Sequence, residues 1–159
     1  ALAEAGRIAL TRVPADAGGT VQPDAVAAAV TPKTRLVAVT HASNVLGTVQ
    51  PIADIAKAVR EKADGALVLV DAAQTAGVVP LDVQAAGIDL LAFPGHKSLY
   101  GPTGTGALYV GPRAKLRPWR EGGTGGDSST PIQPAEFPYY LEGGTPNVLG
   151  VAGLVAGLD

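Results

Sequence analysis

Arg35-Leu36-Val37-Ala38-Val39-Thr40, then Pro51 through Ala63, then Ala66-Leu67-Val68-Leu69-Val70-Asp71: these three stretches follow one another with short polar links between them. The first and third are apolar runs without in–out alternation. Such runs suit strands covered on both faces, as in parallel sheets. The middle stretch carries Ile52, Ile55, Ala56 and Val59 at i, i+3, i+4 and i+7, while Lys57, Arg60, Glu61 and Lys62 take the wet side. That spacing is the apolar stripe of an amphipathic helix. A helix between two buried strands is the usual return path for a parallel pair.

Working outward, the same alternation of element types continues. Upstream, Arg7-Ile8-Ala9-Leu10-Thr11-Arg12 alternates and predicts a short strand. Ala17-Gly18-Gly19-Thr20 reads as a turn. Pro23-Asp24 opens a helix through Val30, with proline in the first turn, where its missing N–H costs nothing. Downstream, Ile88-Asp89-Leu90-Leu91-Ala92-Phe93 and Gly106-Ala107-Leu108-Tyr109-Val110 predict a third and a fourth strand. Pro112 to Pro146 reads mostly as loop, and Gly150 to Leu158 begins a last helix. The expected class is α/β, a mostly parallel sheet with helices on both faces.

Composition narrows the function classes. The 159 residues are 47% hydrophobic, enough for one domain with a real core and too apolar for a disordered chain. The 12 basic and 14 acidic residues leave a net charge of -2, so there is no basic field for nucleic acid. Cysteine is absent, which removes disulfides, cysteine metal sites and thiol nucleophiles from these residues. No apolar run approaches the roughly 20 residues needed to cross a bilayer, and no signal-peptide pattern stands at the start. A membrane partner is therefore not expected. Methionine is absent even at position 1, and Leu154-Val155-Ala156-Gly157-Leu158 breaks off in mid-pattern. Both ends read as truncations of a longer chain.

In open α/β sheets, ligands bind beyond the carboxyl ends of the strands. The polar residues that follow each apolar run should then form one site. His41-Ala42-Ser43-Asn44 follow the first run, Asp71 and Gln74 the second, His96 and Lys97 the third. An amine can condense with an aldehyde to form a Schiff base. Pyridoxal phosphate needs such a lysine and commonly a carboxylate at its pyridinium nitrogen. Lys97 and Asp71 suit those two tasks. Gln74 could donate to the ring phenolate oxygen, and Asn44 could reach that oxygen or a substrate carboxylate. His96 could contact the phosphate or the ring edge. Gly122-Gly123-Thr124-Gly125 and Gly143-Gly144-Thr145 offer backbone N–H groups and hydroxyls for a phosphate.

Singly, each of these residues has a plainer use. A loop lysine is ordinarily a solvated surface group, and an aspartate after a strand often forms a turn. His41 is expected to shape its loop. Their joint placement at strand ends is what points to a cofactor site. A phosphate loop built on Gly101-Pro102-Thr103-Gly104-Thr105-Gly106 is disfavoured, since it lacks the Lys-Ser/Thr ending and precedes a strand rather than opening a helix.

The motifs resemble those of the aminotransferase class V family of fold-type I pyridoxal-phosphate enzymes, and within it the cysteine desulfurase group. His41-Ala42-Ser43-Asn44-Val45-Leu46-Gly47-Thr48 is similar to that family's HxSNxxGT segment, and Val70-Asp71-Ala72-Ala73-Gln74 to its VDxAQ motif. Gly95-His96-Lys97, with Tyr100-Gly101-Pro102-Thr103-Gly104 and Gly106-Ala107-Leu108-Tyr109-Val110, resembles its Schiff-base lysine segment. Glu142-Gly143-Gly144-Thr145-Pro146-Asn147 resembles its GTPN segment.

The resemblance implies that residues 1–159 are a partial large domain lacking the N-terminal part and the C-terminal small domain. It implies pyridoxal 5'-phosphate held by Lys97, with Asp71 at the pyridinium nitrogen, Gln74 at the phenolate oxygen and His96 at the phosphate. Asn44 would sit near the substrate carboxylate. Thr124 would reach the phosphate of a partner subunit's cofactor, which implies a homodimer. L-cysteine is the implied substrate, a sulfur-acceptor protein a possible partner, and the cytoplasm the expected location. Aminotransferase, selenocysteine lyase and epimerase activities share this core, and a non-catalytic α/β binding fragment is the reading of a different class. Two departures stand out. Pro94 replaces a serine or threonine that commonly touches the phosphate, and the persulfide-forming cysteine is not among these residues.

Overall fold

The computed structural model describes residues 2–123, 129 and 131–159. Its elements run α1 (Pro23–Ala29), β1 (Leu36–Thr40), α2 (Ile52–Lys62), β2 (Leu67–Asp71), β3 (Leu90–Pro94), β4 (Gly106–Val110) and α3 (Val148–Leu158). The four strands form one sheet in the order β1-β2-β3-β4. The first two pairings are parallel and the third is antiparallel. The link 95–105 contains turns and no helix, too little chain for the long crossover that a parallel return requires. β4 therefore folds straight back along β3.

The parallel register aligns Thr40 with Asp71 and Asp71 with Ala92. The carboxyl ends of β1, β2 and β3 consequently share one edge of the sheet, and the three loops that follow them start side by side.

α2 turns Ile52, Ile55, Ala56 and Val59 inward, all buried. They meet Val68, Val70 and Leu91, with Val37, Val39, Phe93 and Tyr109 packed around them. Each buried isoleucine or valine contributes about 1.5–3 kcal/mol of apolar transfer free energy. Asp54 in the first turn and Arg60 and Lys62 in the last complement the helix dipole. α1 adds Val26 to the same core and packs on α2.

One expectation is corrected. Arg7–Arg12 is not a strand; it is exposed chain without a pairing neighbour. Alternation makes a strand only where another strand accepts its hydrogen bonds. The expected class, a mostly parallel α/β sheet with helices, stands, and of its helix layers the described residues supply the one that α2 builds. No described helix covers the opposite face, where Leu36 and Leu108 remain about half exposed, at 48% and 47%. The runs are apolar on both sides, but only one side is packed within these residues.

α3 begins two residues before the expected start. Asn147 caps it, its side-chain oxygen accepting the Gly150 N–H at 3.0 Å. The helix lies against the loop after β3: Leu154 packs over Gly95 and Gly101, and Gly157 sits against the Leu99 carbonyl. Among the described residues no helix is long and apolar enough to cross a membrane.

Candidate active site

The first arm leaves β1 at His41. Its backbone N–H donates to the Asp71 carbonyl at 2.8 Å, continuing the ladder one step past the strand. Gln50 N–H returns to the His41 carbonyl at 2.8 Å, and Ala42 bridges to Val49. Ser43 Oγ accepts the N–H groups of Val45 and Leu46 at 3.2 and 3.1 Å. The buried Gln50 side chain ties the base of this loop to the turn before α1. It accepts from Val21 N–H at 2.7 Å and donates to the Gly19 carbonyl at 2.8 Å. Asn44 stands exposed on this braced loop.

The second arm leaves β2 at Asp71. Its Oδ1 accepts the Ala73 N–H at 2.9 Å, closing an Asx turn. Ala72 N–H donates to the Ala92 carbonyl at 2.8 Å, so this arm is stitched to β3 as well. Thr75 and Ala76 N–H groups both reach the Ala72 carbonyl, and half-buried Gln74 lies inside that turn.

The third arm is the turn Gly95–Gly101, which carries His96 and Lys97. Gly101 N–H donates to the Gly95 carbonyl at 2.9 Å and Tyr100 N–H to the Lys97 carbonyl at 3.0 Å. Gly95 is buried against Thr105, whose hydroxyl oxygen occupies the space a Cβ would need. Tyr100 holds φ 57, the left-handed region, the one non-glycine to do so among the described residues. Such backbone strain concentrates in functional turns because surrounding bonds must hold it in place.

Buried His41, Gln50, Thr75 and Asp89 are all hydrogen-bonded, and no buried side-chain polar atom among the described residues lacks a partner. The side chains of Asn44, Gln74, His96 and Lys97 bond to no described residue, and Asp71 uses one carboxylate oxygen on its own turn. These five strand-end residues offer an amine, a carboxylate, two amides and an imidazole, so each kind of donor and acceptor that pyridoxal phosphate needs is represented.

The arms share an edge without enclosing a cavity. Asp71 borders a shallow hollow with Leu69, Ala92, Pro94 and Ala107 on the uncovered sheet face, and Lys97 is not part of its lining. Thr124 lies outside the described residues. Of the two glycine segments read as phosphate donors, Gly122 N–H is directed at Gln133 Oε1, 3.4 Å away, and Gly143 backs onto the Arg120 carbonyl. Pro94 ends β3 opposite Gly106, so the position offers neither a hydroxyl nor an N–H.

Sequence reading missed three buried polar groups, Gln50 at the base of the first arm among them. Thr75 bonds His41, and Asp89 bonds Val68 and two arginines. Asp89 had a visible signal, a carboxylate inside an otherwise apolar run. Thr75 had none, because a threonine in a turn is ordinary.

Fold and strand-end groups together define an α/β domain that presents an amine and a carboxylate at the carboxyl edge of a parallel sheet. The chain belongs to the aminotransferase class-V family, whose model matches residues 1–159. It is 46% identical over 152 residues to a cysteine desulfurase of Yersinia pestis (strain Pestoides F), covering 92% of this chain and 36% of that protein. The apo structure of a cysteine desulfurase from Thermococcus onnurineus NA1 superposes with a TM-score of 0.86 at 34% identity, covering 99% of this chain and 40% of that one. A structure described as SspA in complex with cysteine matches with a TM-score of 0.82 at 32% identity, covering 98% and 41%. The chain thus spans well under half the length of these relatives.

Proposed function

We propose that this chain is the cofactor-lysine part of a pyridoxal 5'-phosphate-dependent cysteine desulfurase, which removes sulfur from L-cysteine and leaves alanine. The observation that carries the reading is the parallel register Thr40–Asp71–Ala92, which starts the Asn44, Asp71–Gln74 and His96–Lys97 arms from one edge. The desulfurase names of the relatives and the cysteine bound to SspA support the choice of reaction and substrate.

Bound pyridoxal phosphate would supply a ring that withdraws electrons from the substrate α-carbon. The chain's own residues would do the rest. The Lys97 amine would hold the cofactor and would move a proton at the substrate α-carbon. The Asp71 carboxylate would keep a proton on the ring nitrogen. Gln74 would donate to the ring oxygen and His96 to the phosphate, and Asn44 would orient the substrate carboxylate. The sulfur would pass to a cysteine outside these residues, as a persulfide, and from there to an acceptor protein.

We assign residues 1–159 to part of the large cofactor-binding domain, in keeping with the 36% of the desulfurase that they cover. A homodimer, with Thr124 contributing to the partner's phosphate site, and a cytoplasmic location follow from the family resemblance.

The test uses the full-length protein with pyridoxal phosphate. A visible absorption band that Lys97→Ala abolishes is expected, together with alanine as the product from L-cysteine. A keto acid instead of alanine would redirect the reading to transamination. A full-length protein with no band would sink it.

A further inference from the structure

His41 and Thr75 form a buried polar contact that the proposed chemistry does not use. His41 Nδ1 lies 2.8 Å from Thr75 Oγ1, and the two residues are 4% and 2% exposed. Each sits at the root of a different arm. His41 is three residues before Asn44, and Thr75 immediately follows Gln74. The contact is the side-chain counterpart of a backbone one: His41 N–H donates to the Asp71 carbonyl at 2.8 Å. On the far side, Thr75 organises its own arm. Its N–H donates to the Ala72 carbonyl, and its carbonyl accepts from Val78 and Val79.

An apolar pair could fill the same volume with no preferred direction. A hydrogen bond between a ring nitrogen and a hydroxyl fixes both distance and angle. Leaving either partner alone in this buried place carries a desolvation penalty. The pair therefore ties the Asn44 arm to the Asp71–Gln74 arm at their roots. Burial also keeps the imidazole below its ordinary pKa, because the charged form loses hydration there.

We infer that His41 is a positioning residue: its bond to Thr75 sets the Asn44 arm against the arm that carries Asp71 and Gln74, and so shapes the seat of the cofactor ring. The cofactor part of this inference rests on the function proposed above; the tie between the arms does not.

The experiment uses the full-length protein with Thr75→Val, Thr75→Ser, His41→Leu and the His41→Leu/Thr75→Val pair. Thr75→Val keeps the volume and deletes the hydroxyl. It should weaken pyridoxal phosphate binding about tenfold, the worth of one buried hydrogen bond, and move the visible band. Thr75→Ser should restore both. The double variant should be little worse than either single, since both delete one interaction. Unchanged affinity and band in folded Thr75→Val and His41→Leu, or losses that simply add, would overturn the positioning role. Hydrogen exchange on cofactor-free protein separates this outcome from failure of the cofactor reading. Faster exchange at both Ala73–Ala76 and Ser43–Gly47 in either single variant upholds the tie even if no cofactor binds. Unchanged exchange in both arms removes it.

Discussion

Arg60, in the last turn of α2, places its guanidinium 3.4 Å from the carboxylate of Asp89, a residue only 3% exposed. Arg113 approaches the same oxygen from beyond β4 at 3.7 Å, and the second oxygen accepts the Val68 backbone N–H at 2.8 Å. One carboxylate thus joins the helix, the second strand, the start of the third and the chain after the fourth. Both arginines keep other acceptors, the Gly87 carbonyl for Arg60 and Asp64 for Arg113, so what removal of the carboxylate strands is the buried Val68 N–H. Asp89→Ala should therefore cost about 1–3 kcal/mol, read as a lower urea midpoint at unchanged slope. Asp89→Asn keeps an acceptor for Val68 and should cost less.

His41 gives stability a pH dependence. Its folded pKa lies below the ordinary 6.5 because burial disfavours the charged ring. The unfolded chain therefore binds a proton that the folded chain refuses, and the folded state loses ground as that proton becomes available. The contribution is complete above about pH 6.5, the unfolded value. It declines as pH falls from there toward the folded pKa. Urea midpoints measured from pH 7.5 down to 5 should fall, and the fall should shrink in His41→Asn. An equal slope in the two proteins would assign the acid sensitivity to other groups.

Asp71 tests the electrostatics of the site separately from its fold. Its carboxylate is exposed at the end of β2 and uses one oxygen to close its own turn. Asparagine retains an oxygen for the Ala73 N–H and removes the charge. Asp71→Asn should leave the urea midpoint nearly unmoved while, on the proposed function, alanine formation by the full-length protein falls about 100-fold or more, the scale of losing one electrostatic partner of a transition state. An enzyme within a fewfold of wild type would show that the ring nitrogen does not rely on this residue.

The parts of this structure that sequence could foretell are those set by local pattern. Ile52, Ile55, Ala56 and Val59 repeat with the helical period, and the helix has that face buried. The runs ending at Thr40, Asp71 and Phe93 are strands because unbroken apolar chain has few other places to go. Once parallel, their shared edge follows, and with it the neighbouring starts of the loops that carry Asn44, Asp71 and Lys97. What local pattern could not supply is partnership. Ile8 and Leu10 alternate like a strand and remain exposed because no neighbour pairs with them. The antiparallel return of β4 depends on the length of the link before it, and the contact of His41 with Thr75 on two loops meeting in space.

Gly157 provides a case in which two physical rules predict opposite signs. In an exposed helix, Gly→Ala gains about 1 kcal/mol through helix propensity. Here α3 runs against the turn that carries Lys97, and a Cβ at Gly157 would stand 2.7 Å from the Leu99 carbonyl oxygen and 3.1 Å from Tyr100 backbone atoms. Those are main-chain atoms, one of them in the left-handed residue that closes the turn, so relief requires moving the turn or the helix. Gly157→Ala should destabilise by about 1–3 kcal/mol, the usual cost of overpacking. Gly153→Ala meets only the Pro102 ring at 3.2 Å and should be close to neutral. The same displacement would carry Lys97 with it, so, on the proposed function, trapping of that lysine in the full-length protein by pyridoxal phosphate and borohydride should slow in Gly157→Ala and not in Gly153→Ala. If Gly157→Ala instead stabilises and traps at the wild-type rate, α3 is not what holds the lysine turn in place.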